Sequence, residues 1–286
     1  MSSRSHPVAG TAWIKTVIEG DTMGESLQSP ITSTGRIHGK LASYADLRQH
    51  RAVSHIIRNH STNKQDIRDV AGAAIDWPCV GTILDAGCGY GWFEQALDGP
   101  FEFLVGIDTL GENEQPFMDV ATRIAKRAEF RELHLPCPTG LPSGGFDLVV
   151  AGYSLYFFPE ALPELARVLA PDGLFLAITH SERMLEEGER FFRFTNLRSL
   201  IRRFSAEDGE RVLKACFGRV TWIDYPNRLV FNREDTADLE AYVFFKHEFV
   251  SRDADPAEVH ERLLQELRSG SALSFNKDDR IFLARK

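Results

Sequence analysis

The sequence holds no run of about 18 apolar residues, and no long apolar stretch follows the early charge at its N-terminus. Neither a membrane span nor a secretory leader is expected. Cysteine is scarce: Cys79, Cys88, Cys137 and Cys216 stand apart, without C-x-x-C spacing or a cysteine–histidine pattern suited to zinc. A disulfide framework and a metal site are therefore not expected, and a reducing cytoplasm suits the chain. Basic charge is in deficit, 33 Lys and Arg against 41 Asp and Glu, for a formal net charge of −8. This balance argues against a broad phosphate-backbone footprint, so nucleic acid is not the expected partner. Internal repeats and low-complexity tracts are also absent.

What is present is ample apolar content, 43% of 286 residues, enough for one large domain or one domain with a cap. Residues 1–40, rich in Ser, Thr and Gly without sustained periodicity, read as a flexible tail with one short ordered segment near Trp13-Ile14. Leu47, Val53, Ile56 and Ile57 predict an amphipathic helix, and Ser61 or Thr62 is placed to cap a second one carrying Ile67, Val70, Ala71 and Ile75. His50, His55 and His60 are five apart, a step of about 140° around a helix, so they share no face. They read as solvated surface rather than metal ligands.

The chain is organised around Ile83-Leu84-Asp85-Ala86-Gly87-Cys88-Gly89-Tyr90-Gly91-Trp92-Phe93. Its start reads as a buried strand, its end as the beginning of a helix running to about Leu97, and its glycines as the turn between them. Glycine has no Cβ, so backbone N–H groups and a helix N-terminus can approach a ligand closely there. A nucleotide-like pocket follows, against the blander reading of a turn without a ligand. A dinucleotide G-x-G-x-x-G would need its third glycine where Trp92 stands. The pattern is instead Asp85-x-Gly87-x-Gly89-x-Gly91. It resembles the class I S-adenosylmethionine (SAM)-dependent methyltransferases, of the methyltransferase-11 type.

The resemblance covers residues 80–180 well and 205–225 weakly. Leu141-Pro142 and Phe146-Asp147-Leu148-Val149 are similar to the family's L-P…F-D-L-V signature, and Leu162 to Leu174 to its L-x-E-x-x-R-V-L-x-P-x-G-x segment. It implies S-adenosyl-L-methionine as cofactor, with Asp85 at the methionine ammonium and the backbone of Gly87, Cys88 and Gly89 along methionine and ribose. Asp108, an acid 23 residues beyond Asp85 at the end of strand 103–108, would take the ribose diol, with Thr109 beside the adenine. A strand-end Asp capping the next helix is the alternative. Where the family usually has an acid reading the adenine amino group, His134 stands here, after Leu133, and backbone groups of 133–135 could make that contact.

The expected fold is α/β: a Rossmann-like, mostly parallel seven-stranded sheet with an antiparallel last strand, helices on both faces and a helical cap. The methyltransferase domain is expected over 41–286, with cap helices at 41–78 and a cap insertion at 226–279 that reads as two helices. The last strand is expected from Arg280.

Tyr153 and Tyr156, after the fourth strand, and His180, ending the fifth, would stand at the carboxyl edge, where open α/β sheets bind ligands. They are the candidates for orienting the acceptor or acting as base; His180 could equally bond locally. No Asp/Asn-Pro-Pro-Tyr/Phe motif occurs, which disfavours methylation of nucleic-acid bases. Residues 181–204 read as helical, with five arginines and no acid from Arg190 to Arg203. These would either steer an anionic substrate or pair with nearby glutamates. The expected activity is methyl transfer to a small-molecule acceptor; alternatives are an RNA or protein methyltransferase and a non-catalytic SAM-binding regulatory or assembly protein.

Overall fold

The computed structural model describes residues 46–251, 253–270 and 272–286. The tail expected over 1–40 lies outside these residues. Among the described residues nine strands run in chain order: β1 (Thr82–Ala86), β2 (Phe103–Asp108), β3 (Ala128–Glu132), β4 (Phe146–Gly152), β5 (Leu169–His180), β6 (Arg219–Tyr225), β7 (Arg228–Asn232), β8 (Ala272–Asn276) and β9 (Asp279–Arg285). Seven form one sheet in the order β3-β2-β1-β4-β5-β9-β6. The first five are parallel, and β9 runs antiparallel to both its neighbours. The expected seven-stranded sheet is thus the one found, with its antiparallel strand inserted between β5 and β6.

The strands read as continuous apolar runs because both faces of the sheet are covered. In β1, Ile83 joins one cluster with α2 (Ile67–Gly72) and α3 (Glu114–Ile124). Leu84, its neighbour, joins another with α1 (Leu47–His60), α4 (Leu162–Val168), α5 (Thr195–Ile201) and α6 (Gly209–Leu213). Leu148/Val150 and Val149/Ala151 in β4 divide the same way. Each such fully buried Leu or Val contributes about 2 kcal/mol of apolar burial.

Strand order reverses between β1 and β4, so the turns leaving these two strands open a crevice at their carboxyl ends. Ser154 Oγ closes its floor by donating to the Ala86 carbonyl at 2.6 Å.

Several local expectations are corrected. Only a 3₁₀ turn, Glu94–Ala96, follows the glycines, where a helix to Leu97 was expected. The Trp92 carbonyl is taken by Arg68 Nη1 at 2.7 Å instead of entering a helical ladder. The segment 181–204 is not one helix: Leu185 adopts φ 58°, its N–H donates to Asn276 O, and a 3₁₀ turn, Glu186–Arg190, precedes α5. Asp66 caps α2, because Ser61 Oγ bonds back to Ile57 O, and Thr62 Oγ1 accepts from the Arg228 N–H. Residues 170–173, with the Pro-Asp-Gly composition of a turn, lie within β5, as a register shift against β4.

The 226–279 insertion holds the two expected helices, α7 (Thr236–Val250) and α8 (Pro256–Ser269), but also a ribbon of β7 and β8 that the helical reading passed over. It packs on α1 and α5. Two of the three histidines fasten it. His60 Nε2 lies 2.9 Å from Asp238 Oδ2 with its ring 4.4 Å from Phe231, and His50 stacks on Phe245 at 5.7 Å. His55 alone of the three is exposed, so the solvated reading of all three is overturned. Tertiary partners from 170 or more residues away, such as Val230 for His60, are invisible to helical spacing.

Among the described residues no helix is long and apolar enough to cross a membrane.

Candidate functional site

The β1 turn is built on backbone that L-residues avoid. Gly87 has φ +82°, and a Cβ on it would collide with the Ser154 side chain; Gly89 has φ +53° but would meet nothing within 4 Å. Space therefore opens in front of Gly89. The Gly87 and Cys88 N–H groups donate to Ile107 O at 2.7 and 3.1 Å, which ties the turn to the end of β2. The Cys88 thiol is buried, so only its backbone faces the turn.

Asp108, the last residue of β2, accepts from the Gly89 N–H at 2.9 Å and from the Leu110 N–H at 2.8 Å. Burial raises its pKa against the pull of these bonds. The helix cap expected as an alternative role is not formed, since neither the 3₁₀ turn Gly111–Asn113 nor α3 has a side-chain cap; the carboxylate instead holds the glycine turn in place. Beside it Thr109 Oγ1 lies 2.9 Å from His134 Nδ1, and the Leu133 N–H donates to Asp108 O. The structure thus gathers Asp108, Thr109, Leu133 and His134 along one rim of the crevice.

Asp85 sits under the turn, 2% exposed, and against it lies a residue that the sequence did not single out, Glu94, at 0%. The two carboxyls touch one another, a contact that is a hydrogen bond only while one of them carries a proton. Beyond that proton and the Glu94 backbone N–H, Asp85 Oδ1 and both Glu94 oxygens accept from no donor among the described residues. Burial, then Glu94, drives Asp85 well above the carboxylate range; burial pushes Glu94 to about 7.

At the opposite rim the carboxyl ends of β4 and β5 meet the start of β9. Tyr153, at φ 57°, donates its hydroxyl to Asp279 Oδ2 at 2.7 Å. His180 Nδ1 is 2.7 Å from Asp279 Oδ1, and Lys277 Nζ donates to Asp279 Oδ2 at 2.5 Å. Lys277 and His180 outweigh burial and hold Asp279 below its ordinary pKa. Burial, then the Lys277 charge, lowers His180 to about 4, so near neutrality it is uncharged. An ionised Asp279 must receive the proton of Nδ1, which leaves the Nε2 lone pair available. Tyr153 stacks on His180 at 4.7 Å and faces Trp92 at 5.6 Å, joining this cluster to the glycine turn; Tyr156 stacks on His180 at 5.8 Å.

Lys277 and Asp279 were missed by sequence reasoning, although a signal existed: an antiparallel last strand must begin at the carboxyl edge of its parallel neighbour. Phe249 of α7 continues the cluster, 6.4 Å from His180, and Lys246 lies 5.0 Å from the Phe249 ring. Beyond them is a cavity of about 50 Å³ among Phe192, Phe194, Leu239, Val243, Val250 and Leu263, with Lys246 also in its wall. The arginines of 190–203 do not line it as an anion funnel. Arg190, Arg198, Arg202 and Arg203 pair with Glu266, Glu189, Glu182 and Glu160.

Residues 84–177 match the family of the methyltransferase domain. No curated protein matches the chain. Among solved structures, the 4+2 cyclase SpnF is similar with a TM-score of 0.51 and 18% identity, over 84% of this chain and 94% of SpnF. The YcgJ protein of Bacillus subtilis follows at 0.49 and 17%, over 83% and 99%. The geranyl diphosphate C-methyltransferase of Streptomyces coelicolor A3(2), solved with S-adenosyl-L-homocysteine, gives 0.42 and 17%, over 76% and 79%. At such identities a structural likeness speaks for the fold alone.

Proposed function

We propose that this SAM-dependent methyltransferase, identified as such by its methyltransferase domain, acts on a small-molecule acceptor that must lose a proton, with His180 as the base. The observation that carries the reading is the buried His180–Asp279 pair, its Nε2 lone pair left available at the carboxyl edge of the sheet.

The crevice fits the cofactor. Open space before Gly89, orphaned oxygen at Asp85 and the Asp108 carboxylate offer room, an acceptor for an ammonium and an acceptor for hydroxyls. Asp85 would hold the methionine ammonium, Gly87, Cys88 and Gly89 would line methionine and ribose, and Asp108 would take the ribose diol. Thr109, Leu133 and His134 would flank the adenine. Bound there, SAM supplies a methyl group already activated by its sulfonium. The protein then has to place the acceptor atom in line and exclude water.

Tyr153 and Tyr156 would position the acceptor: Tyr153 is fixed by its bond to Asp279, and Tyr156 is buried against His180. Asp279 would keep the His180 proton on Nδ1 and steady the imidazolium formed when Nε2 takes the acceptor's proton. The apolar cavity beyond Phe249 favours an acceptor with an apolar body, and the domain would span 41–286, with α1, α2 and the insertion as its cap. Four free cysteines suit a reducing, cytoplasmic setting.

The test is calorimetric titration with S-adenosylhomocysteine, alongside Asp108→Ala, followed by incubation with methyl-labelled SAM and cell extract. Saturable binding weakened by the substitution, with label entering the low-molecular-weight fraction, is expected. Absence of binding by folded protein overturns the cofactor assignment; label confined to RNA or protein overturns the acceptor class.

A further inference from the structure

We infer that Glu94 is a second carboxylate for the amino-acid end of the cofactor, and that the Asp85–Glu94 pair gives up a proton to solvent when the cofactor's ammonium binds. This inference rests on the cofactor assignment made above and adds to it a residue and a coupling.

Glu94 cannot be explained as a piece of the core. Buried carboxyls in folded proteins are normally provided with donors, because removing the charge from water costs several kcal/mol per ion. Glu94 is 0% exposed, and beyond the proton it shares with Asp85 and its own backbone N–H no donor among the described residues serves its oxygens. The groups facing the pair come from three elements. Asp108 on β2 and the Cys88 thiol of the turn add negative charge or none, and Arg68 on α2 is the one cation that acts on Glu94. Arg68 is already committed. Its Nε and Nη2 bond to Asp66 and its Nη1 to Trp92 O.

Two touching carboxyls without a counter-ion cannot both ionise, so the pair keeps a proton between them. Beyond that proton and the Glu94 N–H, three oxygens lack donors: Asp85 Oδ1, Glu94 Oε1 and Glu94 Oε2. A primary ammonium brings three N–H donors and one positive charge. It replaces the shared proton in both respects. The balance is simple: protonated pair plus ammonium gives ionised pair plus bound ammonium, and the proton leaves to buffer.

The sign of the pH dependence follows. A proton released on binding makes affinity rise with pH for as long as the free pair holds its shared proton: Glu94 ionises near the value of about 7 to which burial pushes it, and Asp85, driven higher by burial and then by the Glu94 charge, is the later of the two. Over the acid range titrated below, the ligand's ammonium stays charged, since α-amino groups titrate at about 7.7–8.0 or higher.

S-adenosylhomocysteine is titrated calorimetrically into the full chain at about pH 6.5, in buffers of different ionisation heat, to count protons. The expected result for the wild type is release of more than half a proton per ligand, with Kd falling close to tenfold per unit from about pH 5.5 to 6.5. Glu94→Gln, nearly isosteric, removes one carboxyl and offers Asp85 an amide donor, so it is expected to diminish the release and the pH dependence while its circular dichroism and thermal transition remain those of a folded protein. Saturable binding by the wild type without proton release overturns the inference and leaves the cofactor assignment standing, as does undiminished release in folded Glu94→Gln. No binding by the wild type overturns both. The wild-type count needs no variant to fold.

Discussion

His180 and Asp279 lie 99 residues apart in sequence and directly opposite in register, the last residue of β5 against the first of β9, with Nδ1 2.7 Å from Oδ1. The antiparallel course of β9 makes this possible. A sixth strand running parallel in that place would have started at the opposite edge of the sheet. Its reversal delivers a carboxylate to the carboxyl edge, beside the imidazole and the Tyr153 hydroxyl. Topology that completes the sheet also completes the proposed base.

Replacing Asp279 by Asn tests this. The amide cannot stabilise an imidazolium, and it allows the wrong tautomer at His180. Turnover is expected to fall by about 10²–10⁴, the usual contribution of a positioned base, with S-adenosylhomocysteine affinity within about twofold of the wild type. His180→Ala should cost a similar factor, and the double variant little more than either, because the two act as a unit. Single-turnover kinetics with SAM check it; additive losses would remove Asp279 from the base.

The sheet was legible in the sequence because its strands are buried on both faces and are punctuated by glycine and proline. Ile83 to Ala86 and Leu148 to Ala151 show it plainly, being almost wholly inaccessible to solvent. The glycine turn was legible for the same local reason: Gly87 must take φ +82° where any Cβ would strike Ser154. What escaped depends on partners far along the chain. Leu185 reads as helical by spacing, yet its N–H is claimed by Asn276. His50 and His60 read as solvent-facing, yet rings of the insertion cover them. Glu94 falls in the stretch read as the start of a helix, and only its depth and its contact with Asp85 set it apart.

The two glycines of the turn should separate stability from binding. Gly87→Ala places a methyl against Ser154, whose hydroxyl bonds Ala86 O, at a positive φ. A loss of about 1–3 kcal/mol is expected from backbone strain alone, measured by urea denaturation. Gly89→Ala meets no atom within 4 Å at φ +53°. It should lose only about 1 kcal/mol of stability but weaken S-adenosylhomocysteine binding by at least tenfold, since its methyl enters the proposed cofactor space. Equal binding losses in both, with equal stability, would mean that the turn does not face the ligand.

Acid should loosen the cap through His50. Its ring is held between Tyr90 and Phe245, with centroids at 5.0 and 5.7 Å, and burial, then the Lys246 charge, lowers its pKa from 6.5 to about 4. A histidine with a depressed folded pKa is neutral in the native state while the unfolded chain takes up the proton. Its cost is therefore absent above about pH 6.5, grows as pH falls toward 4, and is constant below that. Between pH 7 and 5 this histidine should lower unfolding free energy by about 2 kcal/mol. His180, also lowered to about 4, acts in the same direction, whereas the raised Asp85 and Glu94 act in the opposite one. The wild-type profile thus mixes signs, and His50→Phe isolates one of them. Phenylalanine keeps the aromatic contacts and cannot titrate. Urea denaturation at the two pH values should show the drop diminished by about 2 kcal/mol in the variant; an unchanged difference would mean that the ring is protonated in the native state, and that Lys246 and the cap accommodate its charge.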